Sequence, residues 1–204
     1  MEITRDDVQG RARATDLAES DVDAAADAAY RIRHPWYRCQ ALTAVADAQP
    51  DKLRAMRLVG DAFRAAKEQD EINRIVTVAS WPIRVCARLA PETAEAELRE
   101  LLVTASREPH TLRRGDALLE LLFAVKDYPA LKAQVLPPLV ESITSGRGWR
   151  IERLIADVAL WVKEDHPYYL PPLLAAHREN RRKRKLLREL NMAAAHEEID
   201  RPHK

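Results

Sequence analysis

Glycine is scarce, with five residues in a chain of 204. So few positions free to adopt left-handed backbone leave little material for a phosphate-cradling loop, and neither a Gly-rich P-loop nor a GxSxG elbow occurs. Aromatic residues are only 5% of the chain. Strict alternation of β-branched and polar residues is missing, which argues against strands. Cysteine occurs twice, at Cys39 and Cys86. Their separation fits no CxxC or zinc pattern, and both read as small buried hydrophobes of a reducing compartment. Long hydrophobic runs are missing too. The longest, Leu118 to Val125, is broken by Glu120 and falls far short of the roughly 20 residues that span a bilayer. The opening stretch carries Asp6, Asp7, Arg11 and Arg13 with no apolar segment behind it, so no targeting signal is read and a cytoplasmic location is expected.

What is present in abundance is helix-forming material. Alanine, leucine, arginine and glutamate dominate, and 32% of the residues are charged. An all-α chain follows. Net charge is +1, but it is unevenly spread. From Arg178 to Arg188 seven cations face one acid, Glu179, a local charge of +6 that leaves −5 for the rest.

Prolines mark a repeat. Pro50, Pro91, Pro129 and Pro167 are separated by 41, 38 and 38 residues. Each sits between two apolar-periodic stretches, where its fixed φ and missing N–H suit the first turn of a helix. Eight residues before each lie Leu42, Ile83, Leu121 and Ala159, and five before lie Val45, Cys86, Ala124 and Val162. A separation of three puts each pair on one helix face. Four before lie Ala46, Ala87, Val125 and Lys163, and seven after lie Arg57, Leu98, Leu136 and Leu174. Mid-unit turns are read at Gln69–Glu71, Glu108–His110 and Ser145–Gly148. An earlier helix pair is read at about Asp21–Arg33 and Pro35–Ala48, opened by a box-like Ser20 and Asp23, and Thr4 with Asp7 opens a polar first helix. The pattern predicts a break or kink at Trp81-Pro82, and helices that begin at Pro137-Pro138 and Pro171-Pro172.

Helix pairs recurring every 38 to 41 residues resemble HEAT or armadillo repeats, whose period is about 40 to 47. The resemblance covers about Ser20 to Ala176 and concerns architecture. It implies an α-solenoid of stacked antiparallel helix pairs in a right-handed superhelix. Residues 1–19 then form a capping helix, 20–176 one array of four pairs, and 177–204 a basic helix and tail.

In such arrays the second helices line a concave surface. Their first turns here carry Trp36, Arg38, Arg74, Arg113, Arg114, Trp149, Arg150 and Arg153. Tryptophan and arginine are enriched at binding hot spots, and arginine accepts carboxylates bidentately. A non-enzymatic module that binds a protein or peptide partner is the leading expectation. The bland reading of the same arginines is a set of local ion pairs, such as Asp70 with Arg74. The alternative function is nucleic-acid binding. HEAT-like arrays include proteins similar to DNA glycosylases for alkylated bases, and Trp149, Trp161 and Asp157 are the nearest equivalents by type. Nucleic acid could also meet Arg181, Arg182, Arg184 and Lys185, although no aromatic residue interleaves that run and a solvated face accounts for it as well.

The six histidines (His34, His110, His166, His177, His196, His203) show no HExxH or carboxylate-paired spacing, so neither a metal nor a cofactor is expected. Trp161, Phe63, Phe123 and Tyr30 read as core, and the Tyr168-Tyr169 pair as a candidate for exposure.

Overall fold

The computed structural model describes residues 2–190. All regular structure among them is helical: α1 Arg5–Leu17, α2 Val22–Tyr30, α3 Pro35–Ala48, α4 Lys52–Lys67, α5 Ile72–Leu89, α6 Pro91–Ser106, α7 Thr111–Ala124, α8 Pro129–Ser145, α9 Trp149–Val162, a 3₁₀ turn Pro167–Tyr169, α10 Leu170–Ala176 and α11 Arg181–Glu189. No described helix is long and apolar enough to cross a membrane. Residue contacts divide the chain into two compact units, one up to Pro138 and one from Leu139 onward.

Local chemistry explains most of the helix ends. Thr4 and Asp7 close a reciprocal capping box on α1. Asp21, His34, Asp51, His110 and Asn180 each accept a backbone N–H at the start of α2, α3, α4, α7 and α11. The cap of α2 is therefore Asp21, not Ser20, whose hydroxyl turns back to the Leu17 carbonyl. Pro91 and Pro129 open α6 and α8, whereas Pro50 lies just outside the Asp51 cap. Pro171 and Pro172 fall in the first turn of α10, where the sequence puts the helix start.

One proline expectation fails, and of the break or kink read at Trp81-Pro82 the break does not occur. Helix α8 begins at Pro129 and continues through Pro137 and Pro138. Helix α5 likewise continues through Pro82. A proline in a helix interior removes one N–H and leaves the carbonyl four residues earlier, here Val78, without its partner. The Cys39 thiol of α3 donates to that Val78 carbonyl at 3.6 Å. A neighbouring helix thus supplies the donor that proline withholds, which removes part of the reason to break.

The first unit is built on two rows. Helices α1, α3, α5 and α7 touch in succession, and each of α3, α5 and α7 also packs against the helix that precedes it in sequence. Polar links repeat at matching separations. Within the α3–α5 pair they join Cys39 to Val78 and Asp47 to Arg88. Along the other row they join Asp23 to Arg54, Tyr30 to Asp61 and Lys67 to Glu100. Links at near-constant separation mean that α3 and α5, and likewise α2 and α4, lie side by side in parallel. Tyr30 belongs to this surface row. It is 50% exposed rather than core, with its hydroxyl donating to Asp61.

The apolar register follows the same period. Leu42, Ile83 and Leu121 are buried to within 1% of complete, as are Val45 and Cys86, while Ala124 is half-buried. Burying a leucine or isoleucine side chain contributes about 1.5–3 kcal/mol, so these positions carry much of the unit's packing.

In the second unit α9 packs against the 3₁₀ turn, α10 and α11. Its buried set includes Ile155, Val158, Val162, Leu173, Leu186 and Leu187. Gly148 precedes α9 at φ 109°, a backbone that a Cβ-bearing residue rarely adopts.

Candidate functional site

Three of the four arginines singled out from the sequence in the first unit, Arg38, Arg74 and Arg113, converge on one acidic turn. That turn runs from Glu68, at the C-terminal cap of α4, to Glu71, at the N-terminal cap of α5. Arg38, in the first turn of α3, pairs with Glu68. Arg74 reaches Asp70 at 3.3 Å and Glu71 at 3.2 Å, and Arg113 of α7 reaches the other Glu71 oxygen at 3.3 Å. Arginines from the preceding helix pair, the turn's own helix and the following pair therefore all reach this one turn. Gln69, buried in the middle of the turn, has its Nε2 without a hydrogen-bond partner among the described residues.

Not all these arginines are equally available. Arg38 also donates to the carbonyls of Ile32 and Arg33 at 3.3 Å, and its side chain is only 20% exposed. Arg114 donates to the Glu108 carbonyl at 3.1 Å. Both residues lie four positions after a histidine cap and reach a carbonyl six positions back, so each staples the turn between two helices. His34 and His110 themselves accept from the amides of Trp36 and Arg113. This His-x-x-x-Arg signature was legible. The two histidines are 76 residues apart, twice the 38-residue period. Arg74 and Arg113, by contrast, are 46% and 56% exposed in their pairs. Exposed pairs contribute at most about 1 kcal/mol, so a partner's carboxylate can replace them at little cost.

Trp36 does not stand alone. Its ring meets Trp81 of α5 edge-on at 6.1 Å, and both indoles are half-buried. Trp81 entered the sequence reading only as the residue before Pro82. It lies seven positions, two turns, beyond Arg74, and Arg88 lies seven further on, which places all three along one side of α5. Arg88 and Arg84 close the stripe by pairing with Asp47 of α3 at 2.7 and 3.8 Å.

At the start of the first unit Asp7 joins α1 to the α2–α3 turn. Its Oδ1 accepts the amides of Arg33 and His34 at 3.1 and 2.9 Å. Burial pushes this carboxyl up, but hydrogen bonds from the Thr4 hydroxyl and from the amides of His34, Thr4 and Arg33 outweigh it and hold its pKa at about 2. Both cysteines are unpaired and fully buried. Burial raises their thiols to about 12 for Cys39 and about 11 for Cys86, so neither is a ready nucleophile.

The remaining candidates belong to the second unit. Trp149 opens α9 and is 57% exposed, with the Arg150 guanidinium 5.3 Å from its ring centre. Arg153 lies 3.9 Å from Asp157. Trp149 and Asp157 share a groove, and Trp161 is not among its lining residues. Arg181 to Arg184 occupy the first turn of α11, not a helix C-terminus where cations complement the dipole. Leu186 and Leu187 dock this helix on α9. Of the Tyr168-Tyr169 pair read as exposed, Tyr168 is 64% exposed and Tyr169 is half-buried. His196 and His203 lie outside the described residues. Among the described residues no cluster of three or more histidine, cysteine or acidic side chains is placed to hold a metal ion.

No protein-family model matches the chain, and no curated protein or solved structure matches it either.

Proposed function

We propose that the first unit is a HEAT/armadillo-like stack of helix pairs, coiling as a right-handed α-solenoid, and that the chain is a non-enzymatic interaction module. Its partner is a protein or peptide carrying carboxylates, bound on the face shared by α3, α5 and α7. One observation carries the reading: the side-by-side helices gather the Trp36–Trp81 indole pair and the exposed Arg74 and Arg113 on neighbouring turns. Half-buried indoles offer rigid contact area, and arginines held by a shared Glu71 are prearranged for bidentate exchange. Arg38 and Arg114 are assigned to holding the turns rather than to recognition.

The test is capture of partners from source-cell extract by the full chain, compared with Arg74→Glu/Arg113→Glu and with Trp81→Ala. The retained proteins are expected to fall at least tenfold for both variants, with unchanged helicity by circular dichroism. Equal retention by both variants overturns the assignment of this face.

A further inference from the structure

The proline-marked repeats leave one feature unused: the cationic face of α11 and the exposed indole that the fold brings beside it. We propose that the groove between α9 and α11 binds a short stretch of single-stranded nucleic acid, with Trp149 stacking on a base and α11 holding the phosphates.

The argument starts from helical spacing. Arg181, Arg184, Lys185 and Arg188 follow the i, i+3, i+4, i+7 pattern that aligns side chains along one face, and all four are exposed. The opposite side carries Leu186 and Leu187, buried against α9. The face is therefore fixed outward by its own docking.

Its charge is poorly answered within the fold. Lys183 pairs with Glu179, and Lys185 with Glu189 at 3.5 Å. No carboxylate lies within ion-pair distance of Arg181, Arg182 or Arg184 among the described residues. These three also sit at the N-terminal end of a helix, where the backbone dipole is already positive and cations are disfavoured. The arrangement works against folding stability and produces a strong local field for an anion. Residues 139–190 carry eleven basic and seven acidic side chains, a net of +4, whereas residues 1–138 carry twenty and twenty-two, a net of −2.

The second element comes from α9. Trp149, Arg182 and Lys185 line one groove of about 320 Å³. The sequence has no aromatic residue inside the basic run, but folding supplies Trp149, 29 positions upstream of the run's first residue, Arg178. The groove's own carboxylates do not cancel the field, because each is matched. Glu152 meets Arg178 and Asn180, Asp157 meets Arg153, and Glu189 meets Lys185.

An exposed indole flanked by unanswered arginines is the pairing that single-stranded nucleic acid uses, since every base has a face to stack and every linkage a phosphate. An acidic peptide would satisfy the arginines and leave the indole without a role. A membrane surface would need apolar side chains on the free side of α11, and those are buried. The reading does not depend on the function proposed for the first unit.

The test is fluorescence anisotropy of labelled twelve-residue oligo-dT and oligo-U on the full chain, with Trp149 emission as a second signal. Binding is expected at 50 mM salt, weakening through 200 mM, with quenching of the indole. Trp149→Ala is expected to lower affinity at least fivefold and leave the salt slope unchanged. Arg181→Ala/Arg184→Ala/Arg188→Ala is expected to reduce that slope by about two, at roughly 0.7 per lost contact. All four positions are exposed, and circular dichroism verifies that the variants fold. Absence of binding at 50 mM salt overturns the proposal. So does binding that is unaffected by Trp149→Ala, or equal binding to polyglutamate or anionic lipid vesicles.

Discussion

The two units treat the same sequence offsets differently. Eight residues before each marker proline the first unit has Leu42, Ile83 and Leu121, all fully buried, and the second has Ala159. Four before, the first has buried Ala46, Ala87 and Val125, and the second has the exposed Lys163. Charge follows suit. In the first unit Arg38, Arg74 and Arg113 are drawn onto Glu68, Asp70 and Glu71, whereas α11 leaves several arginines facing water. The proline spacing thus extends through both units while the residues at its offsets change, from filling and neutralising to thinning and charging. Where large apolar residues recur, packing against equivalent helices dominates; where they give way to alanine and lysine, surface electrostatics becomes the main content of the segment.

The contrast breaks most visibly at the core offset. Ile83→Ala is expected to cost about 3 kcal/mol, because loss of a fully buried side chain on α5 leaves a cavity that its neighbours fill only in part. The reverse change at the matching place in the second unit, Ala159→Leu, is expected to destabilise by about 2 kcal/mol through overpacking. Denaturant midpoints read both. If Ala159→Leu stabilises instead, the second unit has room for the larger residue and the asymmetry at that offset is only apparent.

A smaller effect sharpens the distinction among the arginines. Arg38→Ala is expected to cost about 1.5 kcal/mol, since it removes two carbonyl contacts and a partly buried ion pair. Arg74→Ala is expected to change stability by about 0.5 kcal/mol or less, as exposed pairs do. Thermal unfolding of the two variants in parallel checks the order, and equal losses would erase the division between stapling and exposed arginines.

An effect between those of the two arginines lies at the N-terminal end of the first unit. Asp7 has its pKa lowered in the fold, from 3.8 to about 2. A depressed carboxyl contributes stability that is complete above pH 4 and is lost as pH falls toward 2. After allowance for solvent screening, Asp7→Asn is expected to remove about 1 kcal/mol at neutral pH and to flatten the acid limb between pH 4 and 2. Urea unfolding at pH 7, 4 and 2.5 reads the slope directly. An unchanged acid limb would locate the acid sensitivity elsewhere.

The parts of this molecule legible in the sequence are those that local rules govern. Helix boundaries at Pro91 and Pro129, turns at Gln69–Glu71 and Glu108–His110, and burial at Leu42, Ile83 and Val45 all follow from periodicity and capping. What stayed hidden depended on partners far along the chain. Continuity through Pro82 could not be foreseen, because the donor that compensates Val78 is a thiol 39 residues upstream. The groove beside Trp149 could not be foreseen either, since α9 and α11 meet only after folding. Trp81 and the two capping histidines fall between these cases. Their signals were local, a seven-residue step from Arg74 and a doubled period, but they coincide with a helix-interior proline and with a residue type that also ligates metals.

The contact between Cys39 and the α5 backbone has a consequence for experiment. A thiol sealed between two helices, with ionisation deferred to about pH 12, cannot meet an alkylating reagent while those helices stay together. Modification at this sulfur therefore counts the moments when α3 and α5 separate. The chain carries, without any added label, a chemical meter of how often the centre of its first unit opens.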